Sequence, residues 1–93
     1  MAKMFNFSII EGHIHSKIEH RPADHTRSAE CTFTIRTEED KLFLIRTQRQ
    51  LADTCGKYLK KGSRVLVSGK LGMNKGAICI DCKEVNFLSP ATA

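Results

Sequence analysis

The chain has no apolar run that approaches the roughly 20 residues needed to cross a bilayer as a helix. Its first six residues carry a single charge and lack the apolar stretch and cleavage site of a secretory signal. Repeats, low-complexity stretches and linkers are also missing from the sequence. These absences predict a cytoplasmic protein without a membrane segment, built as one domain over residues 1–93, with 1–88 folded and 89–93 as a short tail.

The chain also lacks the motifs of an enzyme active site, such as a nucleophile elbow, a P-loop or paired carboxylates in a plausible pocket. Its one Cys-x-x-Cys pair, Cys79 and Cys82, lies in an alternating segment, where residues i and i+3 point to opposite faces of a strand. The pair therefore cannot chelate a metal without a local turn. His13 and His15 share a strand face, but nothing places them near Cys79. We expect no catalytic residue, no metal and no cofactor, and four free thiols.

Acidic residues are scarce in one part of the chain. Residues 41–75 hold nine basic residues and a single acid, Asp53, so their net charge is +8 in a chain of net charge +5. Residues 1–40 carry −2 and residues 76–93 carry −1. Solvated surface lysines are common, but a basic window this concentrated favours an anionic polymer as the partner.

The sequence predicts a single helix, over about residues 48–61. Its apolar face is formed by residues spaced at helical intervals: Leu51, Ala52, Cys55, Tyr58 and Leu59. Thr47 is a plausible N-cap and Gly62 a plausible C′ residue. Lys60 and Lys61 would then lie at the negative end of the helix dipole.

Alternating apolar residues predict five strands, over about residues 5–14, 29–36, 41–47, 64–71 and 78–87. The alternation changes parity near Gly12 in the first strand and again before Val85 in the last, which predicts a bend or bulge in each. Residues 16–28 are polar and predict a loop. Residues 37–40 and 72–76 have the composition of tight turns.

The predicted order is therefore β-β-β-α-β-β, an all-β fold with one short helix between the third and fourth strands. A bent, mostly antiparallel sheet of five strands with a helix at that place fits an OB-type barrel. Bends in the first and last strands suit a small barrel, because one strand must then serve both halves of the sheet.

One segment carries a family resemblance. After Leu51-Ala52-Asp53, the run KYLKKGSRVLVSGKL over residues 57–71 resembles the bacterial single-stranded DNA-binding protein family. Residues 9–14 and 33–37 lie where the first and second strands of that family lie. The resemblance implies an OB fold, homo-oligomers and binding of single strands without strong sequence preference.

The chain departs from the family pattern in three ways. It has no tryptophan, whereas the family commonly stacks bases on tryptophans. The turns at 37–40 and 72–76 are shorter than the long DNA-embracing loops of the family. The sequence ends at Ala93 without the acidic, hydrophobic-tipped tail by which typical members recruit partners. These features resemble a short, tailless member, such as a primosomal-type relative, a branch known to be dimeric.

Most aromatic residues are assigned to the core, because they lie in alternating apolar patterns: Phe5, Phe7, Phe33 and Phe87. Tyr58 is expected to pack the helix on the barrel with its hydroxyl at the surface. Phe43 is a base-stacking platform if Lys41 and Ile45 face outward with it, or a core residue if Leu42, Leu44 and Arg46 face outward. Alternation cannot choose between these arrangements, because both faces of this strand are apolar.

The predicted nucleic-acid-binding set consists of two apolar residues and the cations around them. The two apolar residues lie near the place of the family's third-strand tryptophan. The set is Arg36, Lys41, Leu42, Phe43, Arg46, Arg49, Lys61, Arg64, Lys70 and Lys75. Strand alternation keeps neighbouring cations on one side, so together they can form a groove.

These observations predict a non-catalytic, nucleoid-associated protein that binds single-stranded DNA in replication, repair or recombination. The alternative is a primosome-like interaction or scaffolding module with weak or lost nucleic-acid binding, which the missing tryptophans and short loops favour and the +8 window opposes. RNA remains possible, because the sequence does not separate it from DNA. Expected partners are single-stranded DNA, further copies of the chain in a dimer or tetramer, and replication or repair proteins.

Overall fold

The fold of the chain, seen in a computed structural model that describes residues 7–74 and 76–89, has six strands and one helix. In chain order these are β1 (Ser8–Ile14), β2 (Glu19–Arg21), β3 (Glu30–Arg36), β4 (Leu42–Gln48), α1 (Arg49–Tyr58), β5 (Arg64–Asn74) and β6 (Ala77–Ser89). The predicted all-β class with one short helix is confirmed. Predictions made for Phe5, Lys75 and residues 90–93 lie outside the described residues.

The five long strands close into a barrel. The sheet order is β1-β5-β6-β4-β3-β2, and β1 pairs with β3 as well, which joins the two halves. Closure occurs at His13, whose register partners are Arg64 on β5 and Arg36 on β3. At Gly12 a Cβ atom would lie 2.6 Å from the carbonyl oxygen of Arg36, so only glycine lets β1 come this close to β3. The bend predicted near Gly12 is therefore the point where β1 passes from one half of the sheet to the other.

The parity change predicted in the last strand is a β-bulge. Ser68 pairs with Glu84, whereas the next residue, Gly69, pairs with Cys82, so β6 carries one extra residue at this point. The bulge lets both Cys82 and Val85 face the core. All strand pairs are antiparallel except β4 and β6, which run parallel.

The core is built from the inward side chains of the strands and one side of the helix. Its buried apolar residues are Ile14, Ala29, Cys31, Phe33, Ile35, Ile45, Ala52, Cys55, Leu59, Val65, Val67, Ile80 and Cys82. Phe33 is confirmed as a core residue. Phe7 and Phe87 are not, since 61% and 45% of their surfaces are exposed. Phe7 alternates with the inward-facing positions of β1, and therefore points away from the barrel.

The helix is shorter than predicted, and its N-cap is a different residue. Thr47 lies buried at the end of β4, where its hydroxyl donates a hydrogen bond to the carbonyl of Cys31 at 3.0 Å. Gln48 takes the N-cap position and makes no side-chain capping hydrogen bond. The Thr47 hydroxyl pairs with a buried carbonyl and does not cap the helix, because an unpaired polar group in the core would cost more free energy than an uncapped helix at the surface.

The C-terminal end of the helix was also predicted too late in the chain. Leu59 has extended backbone angles, φ −81 and ψ 147, and its side chain is buried. Lys57 is consequently the basic residue of the last turn, and Lys60 and Lys61 lie beyond it rather than at the negative end of the dipole. Gly62 lies in the following turn with a φ of 93, and its N–H donates to the carbonyl of Ile14.

The predicted loop over residues 16–28 contains a strand. β2 pairs antiparallel with β3 through His20 and Cys31, which places the helix after the fourth strand rather than the third. The turn predicted over residues 72–76 is tighter than expected, because β5 continues to Asn74 and β6 begins at Ala77. Within the described ranges, no helix is long and apolar enough to span a membrane.

Candidate nucleic-acid interface

The outward side chains of β3, β4, β6 and β5 form one continuous surface, which we call the central face. Two rows of register partners cross it, separated on β3, β4 and β6 by the buried residues Phe33, Ile45 and Ile80 and on β5 by Leu71, which is 42% exposed. The first row is Thr32, Arg46, Asp81 and Lys70, and the second is Thr34, Leu44, Cys79 and Gly72. Two threonines and one leucine lie beside two cations here, so the face combines apolar contact area with positive charge.

An ion pair lies in the middle of the central face. Arg46 donates from Nε to Oδ1 of Asp81 at 3.0 Å, and its terminal nitrogen lies 2.9 Å from the same oxygen. Lys70 is the register partner of Asp81 on the opposite side, and its side chain is exposed. The predicted residues Arg46 and Lys70 are thus brought to one place, with a carboxylate between them.

Leu42 and Phe43 lie on opposite sides of β4. Leu42 points outward and is 54% exposed, whereas Phe43 shares its side with Ile45 and is partly buried against the core. Of the two arrangements that the alternation left open, the structure has the one with Leu42, Leu44 and Arg46 outward. Stacking of a base on Phe43 stays a prediction.

Arg36 lies at one end of the central face, because it is the register partner of Leu42. Lys41 lies in the turn before β4 and lines a cleft together with Phe43 on the other side of the strand. Arg36 donates from Nε to Asp40 at 2.9 Å. Asp40 has a φ of 61, in the left-handed region that this short turn requires.

Lys61 and Arg64 are not on the central face. Lys61 is exposed in the turn after the helix, and Arg64 begins β5, where its guanidinium donates to Glu11 at 2.9 Å. Arg64 lies instead beside His13 and Arg36, and these three line a cleft of about 760 Å³. The sequence pattern did not indicate this group, because register between distant strands brings it together.

The remaining predicted cations have separate positions. Arg49 is exposed at the first position of α1 with a φ of 60, and its backbone N–H donates to the carbonyl of Ala29 at 2.8 Å. Lys75 lies outside the described residues. Three of the four predicted arginines therefore already carry a carboxylate partner, which lowers the positive charge that they present to a ligand.

All four cysteines are buried and free. Burial raises the pKa of Cys31 to about 11 and that of Cys55 to about 12, so both stay neutral thiols at pH 7. Burial also raises the pKa of Cys79, with a further contribution from the charge of Asp81. Cys82 faces the core while Cys79 lies on the central face, as the i, i+3 spacing predicted. The described part of the chain holds no cluster of three or more His, Cys, Asp or Glu side chains that could bind a metal.

No protein-family model matches this chain, and no curated protein matches it at a significant level. Solved structures do match. The SSB domain of a protein from Synechococcus sp. superposes with a TM-score of 0.80 at 11% identity, over 92% of this chain and 99% of that one. The second single-stranded DNA-binding protein of Mycobacterium smegmatis, SSBb, gives a TM-score of 0.78 at 17% identity, over 90% of each chain.

A eukaryotic structure matches equally well. The mitochondrial single-stranded DNA-binding protein of S. cerevisiae gives a TM-score of 0.80 at 16% identity, over 97% of this chain and 100% of that one. At such low identity these likenesses establish a shared fold. The OB-type barrel predicted from the order of elements is confirmed, and the family resemblance read from residues 51–71 points to the same kind of protein.

Proposed function

We propose that this chain is a non-catalytic protein that binds single-stranded DNA without strong sequence preference, in DNA replication, repair or recombination. The observation that carries the proposal is the barrel it shares with three single-stranded DNA-binding proteins over 90% or more of each chain. The mixed cationic and apolar surface of the central face supports it, because a single strand offers both phosphates and unpaired bases.

Phosphates are held by cations at separate points of this surface. Arg46 and Lys70 lie on the central face, Arg36 continues it at one end, and Lys41 lies in the turn before β4. Contacts to phosphate carry no sequence information, so binding through them tolerates any sequence.

Bases meet mainly aliphatic side chains. Leu42 and Leu44 face outward on β4, the chain has no tryptophan, and Phe43 is turned toward the core. Stacking on an aromatic ring contributes about 1–3 kcal/mol per base, and most of that contribution is missing here. Counterion release therefore carries a larger share of the affinity, and binding weakens steeply as salt rises.

Fluorescence anisotropy with labelled oligo-dT over a series of salt concentrations tests this function. We expect binding at low salt, a linear fall of log K with log salt, and weaker binding to duplex of the same length. Arg46→Ala and Lys70→Ala should each weaken binding and flatten the slope. The change should be about 0.7 for Lys70, the value for one phosphate contact on a single strand, and smaller for Arg46, whose guanidinium is paired with Asp81. Arg27→Ala, in the exposed loop between β2 and β3, is the charge-matched control. Labelled RNA of the same length measures the preference between the two nucleic acids.

A protein-interaction module is the second candidate. The carboxylate partners of Arg36, Arg46 and Arg64 favour it, because paired arginines attract a phosphate backbone less strongly. If oligo-dT shows no binding even at low salt, the nucleic-acid proposal fails and this candidate takes its place.

We also propose that the chain forms a homodimer through β1. Over Ser8–His13 this strand pairs with β5, and it meets β3 only at His13 and Ile14. In residues 7–74 and 76–89, no strand covers the other edge of β1 before that point. Phe7 and Ile9 are each 61% exposed beside this edge, so a second copy would cover both the open backbone and the apolar side chains.

A further inference from the structure

We propose that Asp81 is a built-in competitor of the DNA backbone, which holds the guanidinium of Arg46 and thereby limits how tightly a strand binds. The inference rests on the proposed function, since it concerns the same surface. Asp81 would then control both the affinity for a single strand and the salt dependence of its binding on the central face.

The geometry of the ion pair makes the competition direct. Both the Nε and a terminal nitrogen of Arg46 approach one carboxylate oxygen, at 3.0 and 2.9 Å. An arginine presents these same donors as a fork to the oxygens of a phosphate. A phosphate can take both hydrogen bonds only when Asp81 has released them.

The strand register fixes Asp81 in this position. On one side its partner in the parallel ladder is Arg46, and on the other its partner in the antiparallel ladder is Lys70. Its neighbours in sequence, Ile80 and Cys82, are buried in the core, so the backbone cannot turn the carboxylate away from the face. The carboxylate thus lies between the two cations that the proposed function assigns to phosphates.

The exposure of the pair allows a ligand to exchange with it. The side chain of Arg46 is 35% exposed and that of Asp81 is 48% exposed, so the pair is neither sealed in the core nor fully solvated. Ion pairs at such sites are weak, and a phosphate can displace the carboxylate without an opening of the barrel. Of the other predicted arginines with a carboxylate partner, Arg36 lies at one end of the central face and Arg64 lies off it, so the centre is left to Arg46.

Asp81 should also reduce the salt dependence of binding. When a phosphate displaces the carboxylate, the strand loses a condensed cation, but the freed carboxylate attracts one in turn. The net release of counterions at this contact is therefore smaller than it would be for an unpaired arginine.

Asp81→Asn tests the proposal, because asparagine has the same shape and no charge. We expect its Kd for oligo-dT at low salt to fall by about two- to fivefold, the range that a weak ion pair can account for. The slope of log K against log salt should become steeper by up to about 0.7, so that the variant and the unmodified protein converge at high salt. Asp81→Ser is a second neutral variant that should behave alike, and Asp81→Glu keeps the charge and should resemble the unmodified protein.

Glu84→Gln is the matched control, since it removes one negative charge from the same strand. Glu84 is exposed and pairs with Ser68 beyond the bulge, so it lies outside the row that holds Arg46, Asp81 and Lys70. It should leave both the Kd and the slope nearly unchanged. In an Arg46→Gln background, Asp81→Asn should lose most of its effect, since its partner is gone.

Three results would overturn the inference while leaving the proposed function intact. These are weaker binding by both neutral variants, an equal gain in Glu84→Gln, and a salt slope that stays parallel to that of the unmodified protein. Failure of the proposed function has a separate signature, since neither the unmodified protein nor Asp81→Asn would then bind oligo-dT at low salt.

Discussion

At the residue scale, two neighbouring residues of β4 lie on opposite sides of the strand, one at the surface and one against the core. Leu42 is 54% exposed on the outward side, and Phe43 packs partly against the core beside Ile45. Both were predicted to contact nucleic acid. Their positions now give the two residues different expected roles. Leu42 is placed to contact a ligand, whereas a side chain that packs in the core, as Phe43 does, contributes mainly to stability.

We predict that Phe43→Ala destabilises the fold and that Leu42→Ala mainly weakens binding. Phe43→Ala should lower the free energy of unfolding by about 2–3 kcal/mol, below the 3–5 of a fully buried phenylalanine, because its side chain is partly exposed. Leu42→Ala should change stability by no more than about 0.5 kcal/mol, as is usual at the surface. Urea unfolding followed by circular dichroism measures both variants.

Anisotropy with oligo-dT completes the comparison. Leu42→Ala should raise the Kd without altering the salt slope, since an apolar contact releases no counterions. A folded Phe43→Ala protein that keeps its stability but loses at least tenfold in affinity would contradict the core assignment and favour a stacking platform.

At the scale of the elements, closure of the barrel depends on one close approach. β1 meets β3 at His13 and Ile14, and the backbones already come close at the preceding residue, Gly12. A side chain at this point would have to displace the carbonyl of Arg36, which is fixed in the ladder. Gly69 is at least as crowded, since an added Cβ atom there would lie 2.1 Å from the carbonyl oxygen of Asp81, whereas Gly72 has more room. The same substitution should therefore have very different effects at different positions.

We predict that Gly12→Ala destabilises the barrel and that Gly72→Ala is tolerated. The added Cβ atom would lie 2.6 Å from the carbonyl oxygen of Arg36 in the first variant, and 4.0 Å from that of Cys79 in the second. Overpacking of the first kind typically costs about 1–3 kcal/mol. Thermal unfolding of both variants measures the difference, and an unchanged transition in Gly12→Ala would show that β1 can shift without cost.

The sequence predicted those elements whose apolar residues alternate or recur at helical spacing. The features of the fold that it missed depend on contacts between distant segments. β2 has a polar sequence, and its place beside β3 is supported by a hydrogen bond of 2.9 Å from His20 to Asp53 on the helix. Thr47 was assigned to the helix cap because its sequence position fits, but a buried carbonyl on β3 takes its hydroxyl.

The candidate site was only partly visible in the sequence for the same reason. Alternation placed Lys70 outward but left the side of Arg46 open, and composition located the basic window. Nothing local indicated that Asp81 would lie between them, because that follows from the pairing of β6 with both β4 and β5. The cleft formed by Arg36 and Arg64 likewise depends on where β1 passes between their strands.

At the scale of the whole molecule, the barrel leaves large apolar side chains at its surface. The exposed set is Phe7, Ile9, Leu42, Tyr58, Leu71, Met73, Ile78, Phe87 and Leu88. Phe7 and Ile9 differ from most of the others because they lie beside an edge of β1 that no strand of the described ranges covers over Ser8–Gly12. An edge of this kind can pair with another copy of itself, and its apolar side chains would then be buried in the contact.

We predict a solution mass of at least twice the 10.5 kDa of one chain, and we expect Ile9→Lys to reduce it. A charged side chain beside the edge opposes pairing with a second copy, because the ammonium group would have to be buried without a partner. Tyr58→Lys, on the helix, is the control, since Tyr58 is 57% exposed but lies away from β1. Light scattering after size-exclusion chromatography at micromolar concentration measures all three proteins. A monomer mass for the unmodified chain, or equal masses for all three, would contradict association through β1, whereas a lower mass in Ile9→Lys alone would locate the contact at this edge.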